Sequence, residues 1–190
     1  DLGGQVTLDH DNEGGLSLFW EFGARLDPFR DAEEIRDHLL RAIYGTFATA
    51  KRRQPVASAN LELARVGYVP AGGESRRLLG DYLLTENDVR SGRVFPDAVA
   101  LCSGHLCLHF PGDAYDFRLG DWEFIPVPTF SVPLRCLYSR NVANLLMAGK
   151  HISVTHIAGS ATKTMLNGGQ TGIAAGAAAF LCRKYGTTPR

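Results

Sequence analysis

The polar residues with the clearest chemical promise lie near the carboxyl end. Ser160, Thr162 and Thr164 stand at the start of a long segment, rich in Ala and Gly, that runs to Tyr185. A helix there would begin with N–H groups that lack intrahelical acceptors and carry the positive end of the dipole. Hydroxyls around such a terminus suit an anion or an electron-rich carbonyl. Ser153, Thr155 and His156 occupy the loop before it. A second concentration is Cys102, His105, Cys107 and His109. On a strand, residues 105, 107 and 109 share a face. Tetrahedral metal sites instead pair ligands across gaps of about two to four residues and add a distant second pair. Buried thiols beside a histidine are therefore the better reading, and no metal site is assigned. Asp9, Asp11 and Glu13 resemble the start of a calcium loop, but its twelfth position would be Trp20 rather than Glu. A solvated acidic turn fits them better. There is no Gly-x-Ser-x-Gly elbow and no Cys-x-x-Cys, which leaves no sign of a serine hydrolase or of iron–sulfur ligation.

These residues need elements to place them. Residues 1–30 read as loop and short strand. Asp31, with Glu34 three residues on, predicts a capping box, and Ile35, Leu39, Ile43 and Phe47 form one apolar stripe of a helix closed by Lys51-Arg52-Arg53. Leu61 to Val69, Leu78 to Thr85 and Ala98 to Phe110 read as strands, with a turn at Pro70 to Gly73. Pro126, Pro128 and Pro133 confine their stretch to an edge or a loop. The apolar run Asn144 to Gly149 predicts a strand buried on both faces. A long helix is expected from about Thr162 to Tyr185, with Gly186 just past its end. Gly168, Gly172 and Gly176 would share one face of it, although each glycine costs about 1 kcal/mol against Ala. That face serves tight helix–sheet packing or the approach of a flat ligand. Strand, polar loop and helix together make the crevice where α/β sheets hold ligands.

The chain has 190 residues, 20 basic and 20 acidic, and so no formal net charge. Proteins that wrap nucleic acid carry a basic excess, so no nucleic-acid partner is expected. Four cysteines are too few for a disulfide scaffold. No apolar run approaches the roughly 18 to 20 residues of a membrane span, so no membrane partner is expected. The opening residues, Asp1-Leu2-Gly3-Gly4, read like the interior of a longer sequence, and no targeting signal or localisation is readable.

Several motifs carry a resemblance to a known family. Asn144-Leu145-Leu146-Met147-Ala148-Gly149-Lys150-His151-Ile152-Ser153-Val154-Thr155-His156 resembles the closing flavin-binding segment of FAD-dependent oxidoreductases. Gly159-Ser160-Ala161-Thr162-Lys163-Thr164-Met165 and Gly168-Gly169-Gln170-Thr171-Gly172 continue the match. Glu74 to Tyr82, Thr85 to Asp88 and Phe95 to Ala100 are similar to the substrate-domain motifs of the same group, which includes bacterial proteins labelled xanthan-lyase-like or heterodisulfide-reductase-like. Two departures stand out. The family's Gly-x-Gly-x-x-Gly pyrophosphate turn has no counterpart here. Where the family reads Gly-Gly-Trp-x-x-Asp-x-His, this chain has His109 but Gly104 for Trp and Cys107 for Asp.

The resemblance implies a mixed α/β fold. An antiparallel substrate-domain sheet would occupy residues 1–140, and the last strand and helix of a Rossmann-type FAD-binding domain residues 141–190. It implies FAD as cofactor, a small-molecule substrate bearing hydroxyl or carboxylate groups, and an N-terminal Rossmann half as a further partner. Ala148, Gly149, Lys150, Ser153, Thr162, Thr164 and Met165 would lie against the flavin. His156 and His109 are the catalytic candidates, and Arg76 and Arg77 the substrate clamp. A non-catalytic fragment or binding module is the alternative. Carbohydrate cleavage without redox lacks an identifiable acid–base carboxylate pair.

Overall fold

A run that alternates inward and outward side chains builds the one sheet among the described residues. The computed structural model describes residues 21–69, 76–110 and 122–190, with Trp122 as backbone alone. The readings for residues 1–20 and for the turn at 70–73 lie outside the described residues. The chain forms two compact units, one of residues 1–72 with 109–121, the other of residues 73–108 with 122–190.

The first unit is built on α1 (Ala32–Arg53), with Glu33 and Glu34 in its first turn and Lys51, Arg52 and Arg53 in its last, as the helix dipole favours. Of the expected stripe, Ile35 is buried and Leu39, Ile43 and Phe47 are half-buried, while Ala42, Thr46, Thr49 and Ala50 complete the inner face. The capping box does not form. The Asp31 carboxylate accepts the Asp27 N–H at 2.9 Å, and its own backbone leaves the extended geometry that a cap uses. Residues 61–69 are irregular rather than a strand. The Leu61 N–H turns back to the Ser58 carbonyl at 3.0 Å, and a strand needs a neighbour's ladder for its backbone groups. Tyr68 instead packs under Arg36, whose guanidinium sits 4.6 Å from the ring centroid.

The second unit holds β1 (Ala98–His109, whose last residue belongs to the first unit) and β2 (Trp122–Pro133), paired antiparallel in a two-stranded sheet. Mixed α/β architecture with an antiparallel sheet is thus the fold. In β1 the even positions Ala100, Cys102 and Leu106 point into the core, where they meet Phe130 and Val132 of β2. Among the described residues neither strand has a second strand beside it, and such edge strands tolerate Pro126 and Pro128. The same core takes Leu84, Val89, Phe95, Cys136, Leu137, Ile152, Val154, Ala158 and Ala161.

Short α2 (Glu86–Arg90) starts at Thr85 with a complete capping box to Asp88. Asp88 accepts bonds from the Thr85 N–H (2.9 Å) and hydroxyl (2.8 Å), the Tyr82 hydroxyl (2.9 Å) and Arg93 (2.9 Å). Burial pushes its carboxyl up, but these four donors outweigh that and hold it below the ordinary aspartate range. Asp97 is likewise held low, chiefly by the bidentate Arg135 guanidinium at 2.9 and 3.0 Å. A depressed folded value means stability that is present above the unfolded aspartate pKa of about 3.9 and lost as pH falls through the lower folded value. Urea unfolding should therefore show stability declining below about pH 4. Asp88→Asn should flatten that decline, and a variant with the unchanged pH profile would refute the assignment.

Three expectations for this unit are corrected. Residues 78–85 form one parallel bridge, Leu84 with Val154, rather than a continuous strand. The run 144–149 is half-buried and bridges only at Leu146, to Tyr138. Met147 donates to the Leu137 carbonyl at 2.8 Å and Ser139 to that of Leu145 at 3.0 Å, but no second neighbour among the described residues flanks the run to make it a central strand. The long helix expected from about Thr162 begins at Met165 as α4 (Met165–Tyr185), and the stretch expected as a loop before it holds a separate short helix, α3 (His156–Thr162). Lys163 closes α3 by donating to the Gly159 carbonyl, and Thr164 turns extended (φ −64°, ψ 149°) before α4 begins. Gly186, left-handed at φ +62°, ends α4 as expected.

Candidate functional site

The extended chain after Tyr138 leads the sequence-predicted residues to the start of α4. Ala148 is extended and half-buried, and residues 149–151 make one 3-10 turn. Gly149 takes φ +65°, which a side chain would strain, and an ideal Cβ there meets nothing within 4 Å. This opening faces away from the protein's packed atoms. The Gly149 N–H donates to the Thr171 hydroxyl at 2.9 Å, and that hydroxyl donates to the Gly168 carbonyl at 2.7 Å. The two backbones lie close: an ideal Cβ on Gly168 would sit 3.5 Å from the Gly149 Cα, an ordinary packing distance. The 149–151 turn and the first turn of α4 are thus locked together.

The α4 N-terminus is itself uncovered. Thr164 occupies the cap position without a side-chain capping bond, no acidic residue lies in the first turn, and Met165 is 94% exposed. The first N–H groups of this 21-residue helix carry the positive end of its dipole. Thr162, by contrast, is buried, with its hydroxyl on the Gly159 carbonyl at 3.4 Å. Ser153 is fully buried, its Cβ close under Gly80, and its hydroxyl has no hydrogen-bond partner among the described residues. Lys150 is exposed beside Gly149.

Arg77 lies against α3, which His156 opens. The Leu78 N–H bonds the His151 carbonyl at 2.8 Å, which sets the chain just before it along residues 151–155. The Arg77 guanidinium comes within 3.8 Å of an ideal Cβ on Gly159, one turn into α3. Thr155 caps that helix by accepting the Ala158 N–H, and His156, its first residue, is exposed, as is Arg76. His109 belongs to the other unit, where its Nδ1 lies 2.7 Å from Glu21.

The buried thiols Cys102 and Cys136 do not act as nucleophiles in this arrangement. Burial alone pushes Cys102 up to about 11, and burial is the main cause that pushes Cys136 up to about 12, so both stay protonated at neutral pH. No disulfide joins the four cysteines, and among the described residues no three His, Cys, Asp or Glu side chains gather as a metal site would require. No described helix is long and apolar enough to cross a membrane.

Sequence reasoning missed the side chains that hold α4 in place. Gln170 accepts the Leu101 N–H at 3.0 Å and donates to its carbonyl at 2.7 Å, as a neighbouring strand would. Asn167, 2% exposed, donates to the carbonyls of Ser103 (3.1 Å) and Ala161 (2.9 Å). The Ser160 hydroxyl accepts the Cys107 N–H at 3.1 Å. Residues 101, 103 and 107 present these groups along one edge of β1, so three side chains stand in for a third strand. The signal was two amide residues three apart in an otherwise Ala- and Gly-rich helix. Asn167→Ala should cost about 1–2 kcal/mol, because it removes the buried bond to the Ala161 carbonyl and a part-buried one to that of Ser103. Gln170→Ala, at an exposed edge, should cost under about 1 kcal/mol. Equal losses in urea melts of the two variants would contradict this ranking.

No curated protein and no solved structure matches the chain. The sequence model of one family, described as FAD dependent oxidoreductase, matches residues 17–190, from before α1 through both turns at the α4 start. With the match running through the left-handed Gly149, the uncovered helix terminus and Arg77 alike, the chain belongs to the FAD dependent oxidoreductase family.

Proposed function

We propose that this chain supplies the isoalloxazine-facing and substrate-facing parts of a FAD-dependent oxidoreductase that acts on a small molecule bearing hydroxyl or carboxylate groups. The observation that carries the reading is the uncovered α4 terminus locked to Gly149. When bound, FAD accepts two electrons and leaves negative charge at its pyrimidine end. The N–H groups of Met165 and its neighbours would face that charge, and the open side of Gly149 lets a flat ring approach the backbone. Ala148 and Lys150 flank the approach, and Thr164 adds a hydroxyl at the rim. Ser153 and Thr162 act from beneath, by setting the turn and the helix start. Arg77, with Arg76, would pair with a substrate carboxylate through a planar guanidinium, which binds such a group bidentately. His156 and His109 are the candidates to hold a substrate proton.

In this reading residues 141–190 serve the flavin and residues 1–140 the substrate. The pyrophosphate grip comes from a nucleotide-binding half outside these 190 residues, because the sequence holds no Gly-x-Gly-x-x-Gly turn. On this reading the chain sits in a group that includes xanthan-lyase-like and heterodisulfide-reductase-like bacterial proteins, whose motifs it resembles. The second reading, a non-catalytic module, draws on the side-chain clamp of α4 to β1, which would serve packing alone. Flavin uptake separates the two. The 190-residue chain should bind added FAD with a Kd above about 10 μM, or not at all, whereas the whole gene product should purify yellow and bind it below about 1 μM. A gene product that purifies colourless and stays colourless with FAD would support the module.

A further inference from the structure

We propose that Arg190 is a strap: closed on Asp81 it holds the far end of α4 in place, and ionic screening of the pair lets that end go. The inference stands apart from the oxidoreductase reading and concerns the second unit alone. It starts from how unevenly α4 is held. Its buried residues, Asn167 and Thr171, both lie near its start, where Asn167 and Gln170 also bond to β1. From Gly172 onward no residue of the helix is buried, and Ile173, Phe180 and Tyr185 are largely exposed. At 1.5 Å per residue, the 21 residues make a rod about 30 Å long. Side-chain packing thus fixes one end of this rod and holds the other weakly, and a helix end with few buried contacts opens at low cost.

The residues after the helix supply the second hold. Gly186 turns left-handed at φ +62°, and Thr187, Thr188 and Pro189 lead to Arg190. Its guanidinium meets Asp81, 109 residues away, with Nε donating to Oδ2 at 2.8 Å and Nη2 donating to Oδ1. A fork on both carboxylate oxygens is the strong form of such a pair. Nη2 also donates to the Arg140 carbonyl at 3.4 Å, and the Arg140 N–H bonds the Leu79 carbonyl at 3.0 Å. One arginine thereby joins the end of α4 to two segments that already bond each other. The two halves of the clasp are unequal. Asp81 is the anchor: its side chain is 25% exposed, and the hydroxyl of the buried Tyr138 donates to it at 3.0 Å. These donors, Arg190 foremost, outweigh burial and hold its carboxyl below the ordinary aspartate range, so the anchor is charged at neutral pH. Arg190 is the moving half, 60% exposed on a largely exposed tail. Salt screens an exposed guanidinium, so the pair opens as ionic strength rises, while Tyr138 keeps the carboxylate where the strap closes again.

Hydrogen–deuterium exchange of the full 190-residue chain, read peptide by peptide, tests the strap. In about 0.05 M NaCl, a peptide covering residues 180–187 should exchange at least about threefold faster in Arg190→Gln than in the wild type. In about 1 M NaCl, where the Debye length is about 3 Å, the wild type should exchange there as fast as the variant, and the variant should not speed up further. Asp81→Asn should match Arg190→Gln, and the double variant should add nothing, because each change removes the same contact. Arg190→Lys, which offers a point charge in place of the fork, should fall between. A β1 peptide covering residues 98–107 should exchange equally in all of these proteins. An unchanged rate for residues 180–187 in Arg190→Gln, or a salt effect as large in that variant as in the wild type, overturns the proposal. So does an equal acceleration of the β1 peptide, since the arginine would then stabilise the whole unit rather than one end of α4.

Discussion

Met165→Asp in the flavin-loaded gene product is expected to lower the flavin reduction potential by about 20–60 mV. Met165 opens α4, stands 94% exposed, and has no acidic neighbour in its turn. A carboxylate there would oppose both the helix dipole and the negative charge that the reduced ring acquires. Covered by the flavin, the opposition amounts to roughly 1–3 kcal/mol at an effective dielectric near 20. For a two-electron couple, about 30 mV corresponds to 1.4 kcal/mol, which gives the stated range. Met165→Leu keeps the volume and the polarity and should leave the potential within about 10 mV. Spectroelectrochemical titration of the three proteins decides the matter. An Asp variant that keeps its flavin and its potential would show that α4 does not face the ring.

The largest stability loss is expected from Gly80→Ala, at about 3 kcal/mol. Gly80 is buried where three extended segments converge. The Tyr82 N–H bonds the Arg135 carbonyl, the Arg140 N–H bonds that of Leu79, and the Leu84 N–H bonds that of Ser153. A Cβ on Gly80 would fall on the Arg135 carbonyl oxygen, and it would also come within 3.1 Å of the Ser153 Cβ and 3.2 Å of the Tyr138 carbonyl. Two of these three are backbone atoms fixed by their own hydrogen bonds, so the strain cannot pass to a flexible side chain. That places the change at the upper end of overpacking losses. The second unit should melt about 6–12 °C lower, and flavin affinity should fall with it, since residues 149–153 follow from the displaced segment. A melting temperature within about 2 °C of the wild type would mean that the three segments do not close on Gly80.

Much of the local architecture was readable from residue order. The 98–109 strand was readable as an apolar stretch, Ala98 to Phe110, bounded by breakers, and α1 through a four-residue apolar repeat closed by basic residues. Gly186 marked the end of α4, because only glycine readily takes the left-handed cap. Motif order pointed to the family, and to the turn at Gly149 and the start of α4 as neighbours. Each of these signals lives within a few residues of chain. What failed were expectations that depend on partners. The run 144–149 has the composition of a central strand, but a strand is central only when chains lie on both sides of it. Asp31 has the right type for a cap, but its carboxylate was taken by Asp27.

Tertiary structure decided the rest. Composition could not show that Asn167, Gln170 and Ser160 would replace a third strand along β1, because amide and hydroxyl groups reveal their acceptors only when the backbone arrives beside them. Nor could it show that Thr162 is buried and Met165 uncovered, since the break at Lys163 and Thr164 depends on how α3 packs. The pairing of Glu21 with His109 spans 88 residues and leaves no periodic trace. The sequence by itself determined the family, the local elements and the chemical types at hand. Which of those groups meet was settled by long-range packing, because hydrogen bonds and ion pairs act over about 3 Å and sequence separation says nothing about distance.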